Sequence, residues 1–245
     1  MKLAGLLWKL LRAVVHALRG FWTIKTLFPR LEQADRQHHV HVWAQQMLAI
    51  VGVELIVIGA PPSAGPVLFV ANHISWLDIL VMHASHYCRF VSKADIKRWP
   101  FVGTLADGAG TLYIERESRR DAHRVVQQMA ERLRAGEVLA VFPEGTTGDG
   151  VRLKPFHANL VQAAIEANVP VQPVALKFQD AQTGAISFAP RYVDDDTLGW
   201  SIWRTLTAQP LRAVVSFGEL QSAQGRTRRQ WAQDLREDIE ALRGH

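Results

Sequence analysis

A histidine and a carboxylate stand five positions apart in Asn72-His73-Ile74-Ser75-Trp76-Leu77-Asp78, directly after the apolar run Val67-Leu68-Phe69-Val70. An imidazole takes up a proton near neutral pH when a neighbour fixes its tautomer, and a carboxylate does so by accepting from the other ring nitrogen. Roughly 70 residues later, Phe142-Pro143-Glu144-Gly145-Thr146 follows a second apolar run, Val138-Leu139-Ala140-Val141. A glycine turn at a strand end lets backbone N–H groups approach a ligand oxygen, and Glu144 offers an acceptor for a substrate hydroxyl. The chain holds no G-x-S-x-G elbow, so a covalent serine mechanism is not indicated. A His–Asp pair lacking its own nucleophile suits activation of a hydroxyl that the substrate supplies. Each piece also has an ordinary explanation. Ser75-x-x-Asp78 has capping-box spacing, and Pro-Glu-Gly ends many strands as a simple turn. Taken alone, the spacing weighs capping and catalysis evenly for Asp78.

Two strand ends carrying polar groups form walls of one site if the strands run parallel, because strand ends of one sense share one edge of the sheet. The element pattern agrees. Strands are predicted at 54–58, 67–71, 87–92, 111–115, 137–142, 171–177, 185–189 and 211–218. Helices are predicted at about 31–48, 75–85, 119–135, 157–167 and 227–243, with a short helix or loop at 93–100. Ser118/Asp121 and Thr227/Gln230 have capping-box spacing at two helix starts. Alternating strands and helices imply an α/β fold: a single layered domain with a largely parallel central sheet flanked by helices. We assign it to residues 51–245 and the first 50 residues to N-terminal helices at the membrane interface.

Composition supports that division. The chain has 245 residues and one cysteine, Cys88, which excludes an internal disulfide and a cysteine-based metal cluster. The first 31 residues hold six of the 28 basic side chains and no Asp or Glu, leaving 22 basic against 23 acidic groups elsewhere. No run approaches the roughly 20 apolar residues of a spanning helix, and Lys9 and Arg12 interrupt the apolar region of any signal peptide. Helical spacing gathers Lys2, Lys9, Arg12, His16 and Arg19 into a stripe, with leucines, valines and Trp22 filling the rest. A wide apolar face with a basic stripe and flanking tryptophans, Trp8 and Trp22, describes an interfacial helix drawn to anionic lipid. The competing reading is a helix docked on the core with a solvated basic face.

Four blocks in order resemble the bacterial 1-acylglycerol-3-phosphate acyltransferases and the wider glycerolipid acyltransferase superfamily, over roughly residues 40–215. They are Asn72 to Asp78, Gly110-Thr111-Leu112-Tyr113-Ile114-Glu115-Arg116, Phe142 to Thr146, and Val169-Pro170-Val171-Gln172-Pro173-Val174. The resemblance implies that His73 deprotonates an acceptor hydroxyl while Asp78 orients the ring. The hydroxyl oxygen then attacks the thioester of acyl-CoA or acyl-ACP. It implies acceptor binding by Lys93, Arg116, Glu144 and Gly145, and no metal or bound cofactor; Thr146, Thr147 and Lys154, in or beside the third block, are added as candidate substrate contacts. The expected product is phosphatidic acid, made at the cytoplasmic face of the inner membrane from a membrane lysolipid. One position departs from the family: its third block usually ends in arginine, taken to hold the acceptor phosphate, and here Thr147 stands there. Threonine cannot make a bidentate ionic contact. Either Arg152 and Lys154 compensate, or the acceptor is another lysolipid such as lyso-ornithine lipid.

Other clusters are discounted. His38, His39 and His41, and His83 with His86, lack carboxylates or cysteines at ligand spacing. Arg226, Arg228 and Arg229 share a helix with Asp234, Glu237, Asp238 and Glu240, which argues for a mixed-charge face and against nucleic acid. Oligomeric state is not legible.

Overall fold

The computed structural model describes residues 3–114, 119–193, 195–208 and 210–244. Its centre is a seven-stranded sheet formed by β1 (Val53–Ile58), β2 (Val67–Ala71), β3 (Arg89–Lys93), β4 (Leu112–Ile114), β5 (Val138–Val141), β6 (Val171–Asp180) and β7 (Leu211–Phe217). The spatial order is β1-β7-β6-β2-β5-β3-β4. β6, β2, β5, β3 and β4 form one parallel run, while β7 is antiparallel to β6 and parallel to β1. The sheet is therefore mostly parallel, with a reversed pair at one side.

Helices cover both faces: α1 (Leu3–Thr26), α2 (Gln33–Val51), α3 (Leu77–Ser85), α4 (Val102–Gly108), α5 (Arg119–Arg134), α6 (Asn159–Ala167), α7 (Leu198–Thr207) and α8 (Arg228–Gly244). The period-two geometry of strands assigns side chains to the two cores. Val67, Phe69 and Ala71 of β2 join α2, α3 and Leu206 of α7 on one face. Leu68 and Val70 join α5, α6 and α8 on the other. β2 is wholly buried, which explains why it reads as a continuous apolar run.

One predicted strand is corrected. Segment 185–189 is not a strand: Ile186 makes one isolated bridge to Gln179, and the chain continues as a loop. That loop leads to α7, which the sequence pattern did not announce. Its N-cap is Thr197, whose side chain accepts from Trp200 N–H at 3.2 Å. At the C-terminal helix the expected capping box is present: Thr227 N–H donates to Gln230 Oε1 at 3.0 Å, and Gln230 N–H to Thr227 Oγ1 at 3.4 Å. Ser118, the other expected cap, lies outside the described residues.

α1 and α2 form a hairpin through the 3-10 turn Phe28–Arg30. His16 is not on an exposed basic stripe. It is buried and stacked on Trp43, with ring centroids 5.3 Å apart. The two residues bond each other's backbone, His16 Nε2 lying 3.0 Å from Trp43 O and Trp43 Nε1 donating to His16 O at 3.2 Å. Gly20 permits this approach, since a Cβ there would stand 2.5 Å from Trp43 Nε1. Leu6, His16 and Gly20 of α1 thus face the protein, with Leu10, Ala13 and Ala17 packed beside them, while Leu3, Leu7, Trp8, Leu11, Val14, Val15, Leu18 and Trp22 are exposed. Among the described residues no helix is long and apolar enough to cross a membrane.

Candidate active site

β2 and β5 are adjacent and parallel, with Val70 paired to Val141. The segments beginning at Asn72 and Phe142 therefore leave the sheet side by side, at the edge expected for a site. Asn72 anchors the first. Its buried amide donates to Leu176 O at 3.0 Å and accepts from Leu176 N–H at 2.7 Å, fastening the end of β2 to β6. Sequence reasoning gave Asn72 no role, although it opens the motif.

His73 Nδ1 lies 2.7 Å from Asp78 Oδ2. The same oxygen accepts the N–H groups of Ile74 at 2.6 Å and Ser75 at 2.9 Å. The oxygen that orients the ring thus also ties down the turn that leads into α3. Asp78 is fully buried, and its Oδ1 has no hydrogen-bond partner among the described residues. An ionised carboxylate only accepts, so Nδ1 carries the proton and Nε2 offers its lone pair. The His73 ring lies parallel to Phe142, with centroids 4.0 Å apart and planes 5° apart, and its side chain is 20% exposed. The imidazole is thus held by a hydrogen-bonded carboxylate at one edge and an aromatic face beneath.

Glu144 joins the two loops. Its Oε1 accepts His73 N–H at 2.8 Å, and its Oε2 accepts Lys154 N–H at 2.8 Å. Gly148 N–H donates to His73 O at 2.7 Å. Burial pushes the Glu144 carboxyl above its ordinary range, while the His73 and Lys154 amides and the charges of His73 and Arg243 pull it back. Gly145 takes the left-handed conformation, φ 72°, that turns the chain behind Glu144. Thr146 is exposed. Thr147 donates its hydroxyl to Tyr192 O, and the Lys154 ammonium donates to Thr147 O at 2.8 Å. The cation of Lys154 therefore sits beside the position where the family carries arginine.

Lys93 is brought to the same edge. Phe69 and Phe90 both pair with Ala140, so Lys93 is level with Asn72, two strand spacings or about 10 Å away. Arg116 lies outside the described residues. A strap, residues 188–193, crosses both loops without any sequence signal: Ser75 Oγ donates to Pro190 O at 2.5 Å and Tyr192 N–H to Ile74 O at 3.2 Å. Trp76 Nε1 reaches Ser201 Oγ of α7 at 3.2 Å. Elsewhere, His83 is buried between the Tyr87 and Phe90 rings, and Arg226 pairs with Asp234 at 2.8 Å while covering Trp231.

A base with a free nitrogen, a fixed tautomer and adjacent backbone turns can activate a hydroxyl and receive a developing oxyanion. Known proteins agree with that chemistry. A family model described as Acyltransferase matches residues 54–177. A lyso-ornithine lipid O-acyltransferase of Pseudomonas aeruginosa is 36% identical over 218 residues, covering 87% of this chain and 83% of that protein. A 1-acyl-sn-glycerol-3-phosphate acyltransferase of Neisseria gonorrhoeae is 40% identical over 158 residues, covering 64% of this chain and 61% of its own length. The crystal structure of the 1-acyl-sn-glycerophosphate acyltransferase PlsC from Thermotoga maritima superposes with a TM-score of 0.65 at 19% identity, covering 97% of this chain and 98% of that one, a likeness of fold. With its matched segment spanning both catalytic-edge loops, the chain belongs to the acyltransferase family.

Proposed function

We propose that the protein moves a fatty acyl group from acyl-CoA or acyl-ACP to the free hydroxyl of a lysolipid, foremost 1-acyl-sn-glycerol-3-phosphate, giving phosphatidic acid. The observation that carries this is His73 held through Nδ1 by buried Asp78, with Nε2 left to take a proton. In this reading the acceptor hydroxyl gives its proton to Nε2 as its oxygen attacks the thioester carbonyl. The new C–O bond forms and the carbonyl π electrons pass to oxygen. Backbone N–H groups of the 144–148 turn are the candidate donors to that oxyanion. The C–S bond then breaks, and the thiolate takes the proton from the imidazolium. Asp78 stays ionised and stabilises the imidazolium. These steps require no bound cofactor, the acyl thioester being a co-substrate.

Lys154 supports a phosphate-bearing acceptor because its ammonium occupies the neighbourhood of Thr147, and Lys93 lies on the same edge. A second reading, lyso-ornithine lipid as acceptor, is favoured by Thr147 itself and by the Pseudomonas relative that spans most of the chain. The outward apolar face of α1 supports docking on a membrane surface, the cytoplasmic leaflet in this proposal, where lysolipid reaches the site without leaving the bilayer.

The test is acyl transfer by purified protein in mixed micelles, with labelled acyl-CoA or acyl-ACP and a panel of lysolipids. Phosphatidic acid formed by wild type and abolished in His73→Ala supports the first reading. Product only from lyso-ornithine lipid replaces it with the second, and release of free fatty acid alone would refute both.

A further inference from the structure

Arg243 lies in the last turn of α8, outside the family-matched segment, and no sequence motif marked it. It nevertheless lines the cleft formed with His73, Glu144 and Gly148. Its side chain is 10% exposed. Nη2 donates to the carbonyls of Gly150 and, at 3.2 Å, Val151. Nη1 donates to Glu240 Oε2 at 3.2 Å. Seven residues earlier, on the same helix face, Arg236 Nη2 donates to Leu153 O at 3.0 Å. The residue after Leu153 is Lys154, whose N–H is bound by Glu144, which in turn binds His73 N–H. The helix end is itself fixed to the sheet, Lys177 Nζ of β6 donating to Arg243 O at 3.1 Å. Lys177 adjoins Leu176, the residue that Asn72 grips.

We propose that Arg243, assisted by Arg236, is a positioning residue for acyl transfer: α8 clamps the 150–154 loop, and the loop holds Glu144 and His73 in register. A guanidinium suits the task because its fixed fork reaches two carbonyls and a carboxylate at once. The kinetic part of this inference rests on the acyl-transfer reading, and its structural part does not.

Arg243→Gln, Arg243→Lys and Arg236→Gln are to be compared by amide hydrogen exchange and by steady-state kinetics. Expected in Arg243→Gln is faster exchange at Gly148 and Lys154 with β2 and β5 unchanged. Its kcat/KM should fall by roughly ten- to a hundred-fold, as misplacement of a catalytic group implies. Arg243→Lys should recover part of the kinetic loss, and Arg236→Gln should reproduce the exchange effect more weakly. Unchanged exchange and kinetics in Arg243→Gln would overturn the clamp, and so would acceleration spread evenly through β2 and β5. If wild type itself turns over no lysolipid, the proposed function fails, and the exchange data alone decide the clamp.

Discussion

Asp78 directs one buried oxygen at His73 Nδ1 and two backbone amides, so its charge and its shape can be separated. Asp78→Asn keeps the volume but can present an N–H to Nδ1, inverting the tautomer. Turnover should fall by roughly three orders of magnitude with little change in acceptor KM, measured in the same micellar assay. Glu144 gives a second test, in pH. Burial raises its carboxyl, so the folded chain keeps a proton at values where the unfolded chain has released it. The stability it contributes is complete below the ordinary value of 4.5 and declines as pH rises through the folded value. Glu144→Gln has no such proton. Denaturant titrations at several pH values should show wild-type stability declining relative to the variant across that window, and a constant difference would contradict the shift. At this scale the meeting of His73, Asp78 and Glu144 was legible because His73 and Asp78 are five positions apart and both His73 and Glu144 follow a strand signal. Asn72 and Arg243 were not, because their partners are backbone carbonyls and amides 104 and 93 residues away, which no side-chain pattern encodes.

The loops between elements are set by close contacts as much as by hydrogen bonds. A methyl group at Gly148 would stand 3.3 Å from Glu144 Oε2 and 3.4 Å from His73 O. Gly148→Ala should therefore push the two loops apart by a few tenths of an ångström and lower kcat/KM several-fold, about 1 kcal/mol in transition-state stabilisation. Gly199→Ala, where an added Cβ meets nothing within 4 Å, is the matched control in the same assay. The strands next to the site were legible from apolar runs ending in turn residues. α7 was not. Its Trp200 and Trp203 are exposed while Ser201 and Thr205 are buried, the reverse of the usual amphipathic order. Ile186 and Phe188 are likewise exposed apolar residues, and their alternation imitated a strand. Strand direction was also beyond the pattern, since β7 has the same apolar character as the strands of the parallel run yet runs against β6.

At the scale of the whole molecule, α1 buries Leu6, His16 and Gly20 and leaves Leu3, Leu7, Leu11, Leu18, Val14, Val15, Trp8 and Trp22 exposed. The width of that face was legible in the sequence. Which side faced the protein was not, because it depends on the stack between His16 and Trp43. Replacing Trp8 and Trp22 by serine should weaken binding to anionic vesicles by roughly an order of magnitude per residue, read by co-sedimentation, while leaving the fold intact. Equal binding by wild type and variant would remove α1 from the docking surface. In the proposed docking, the outward face also sets the units in which catalysis is to be written. A protein held on a bilayer meets its acceptor by sliding in two dimensions. Its rate then follows the mole fraction of lysolipid in the surface and is indifferent to how much is present per volume of solution. Diluting the acceptor with inert phospholipid would slow such an enzyme even though nothing had been removed from the tube.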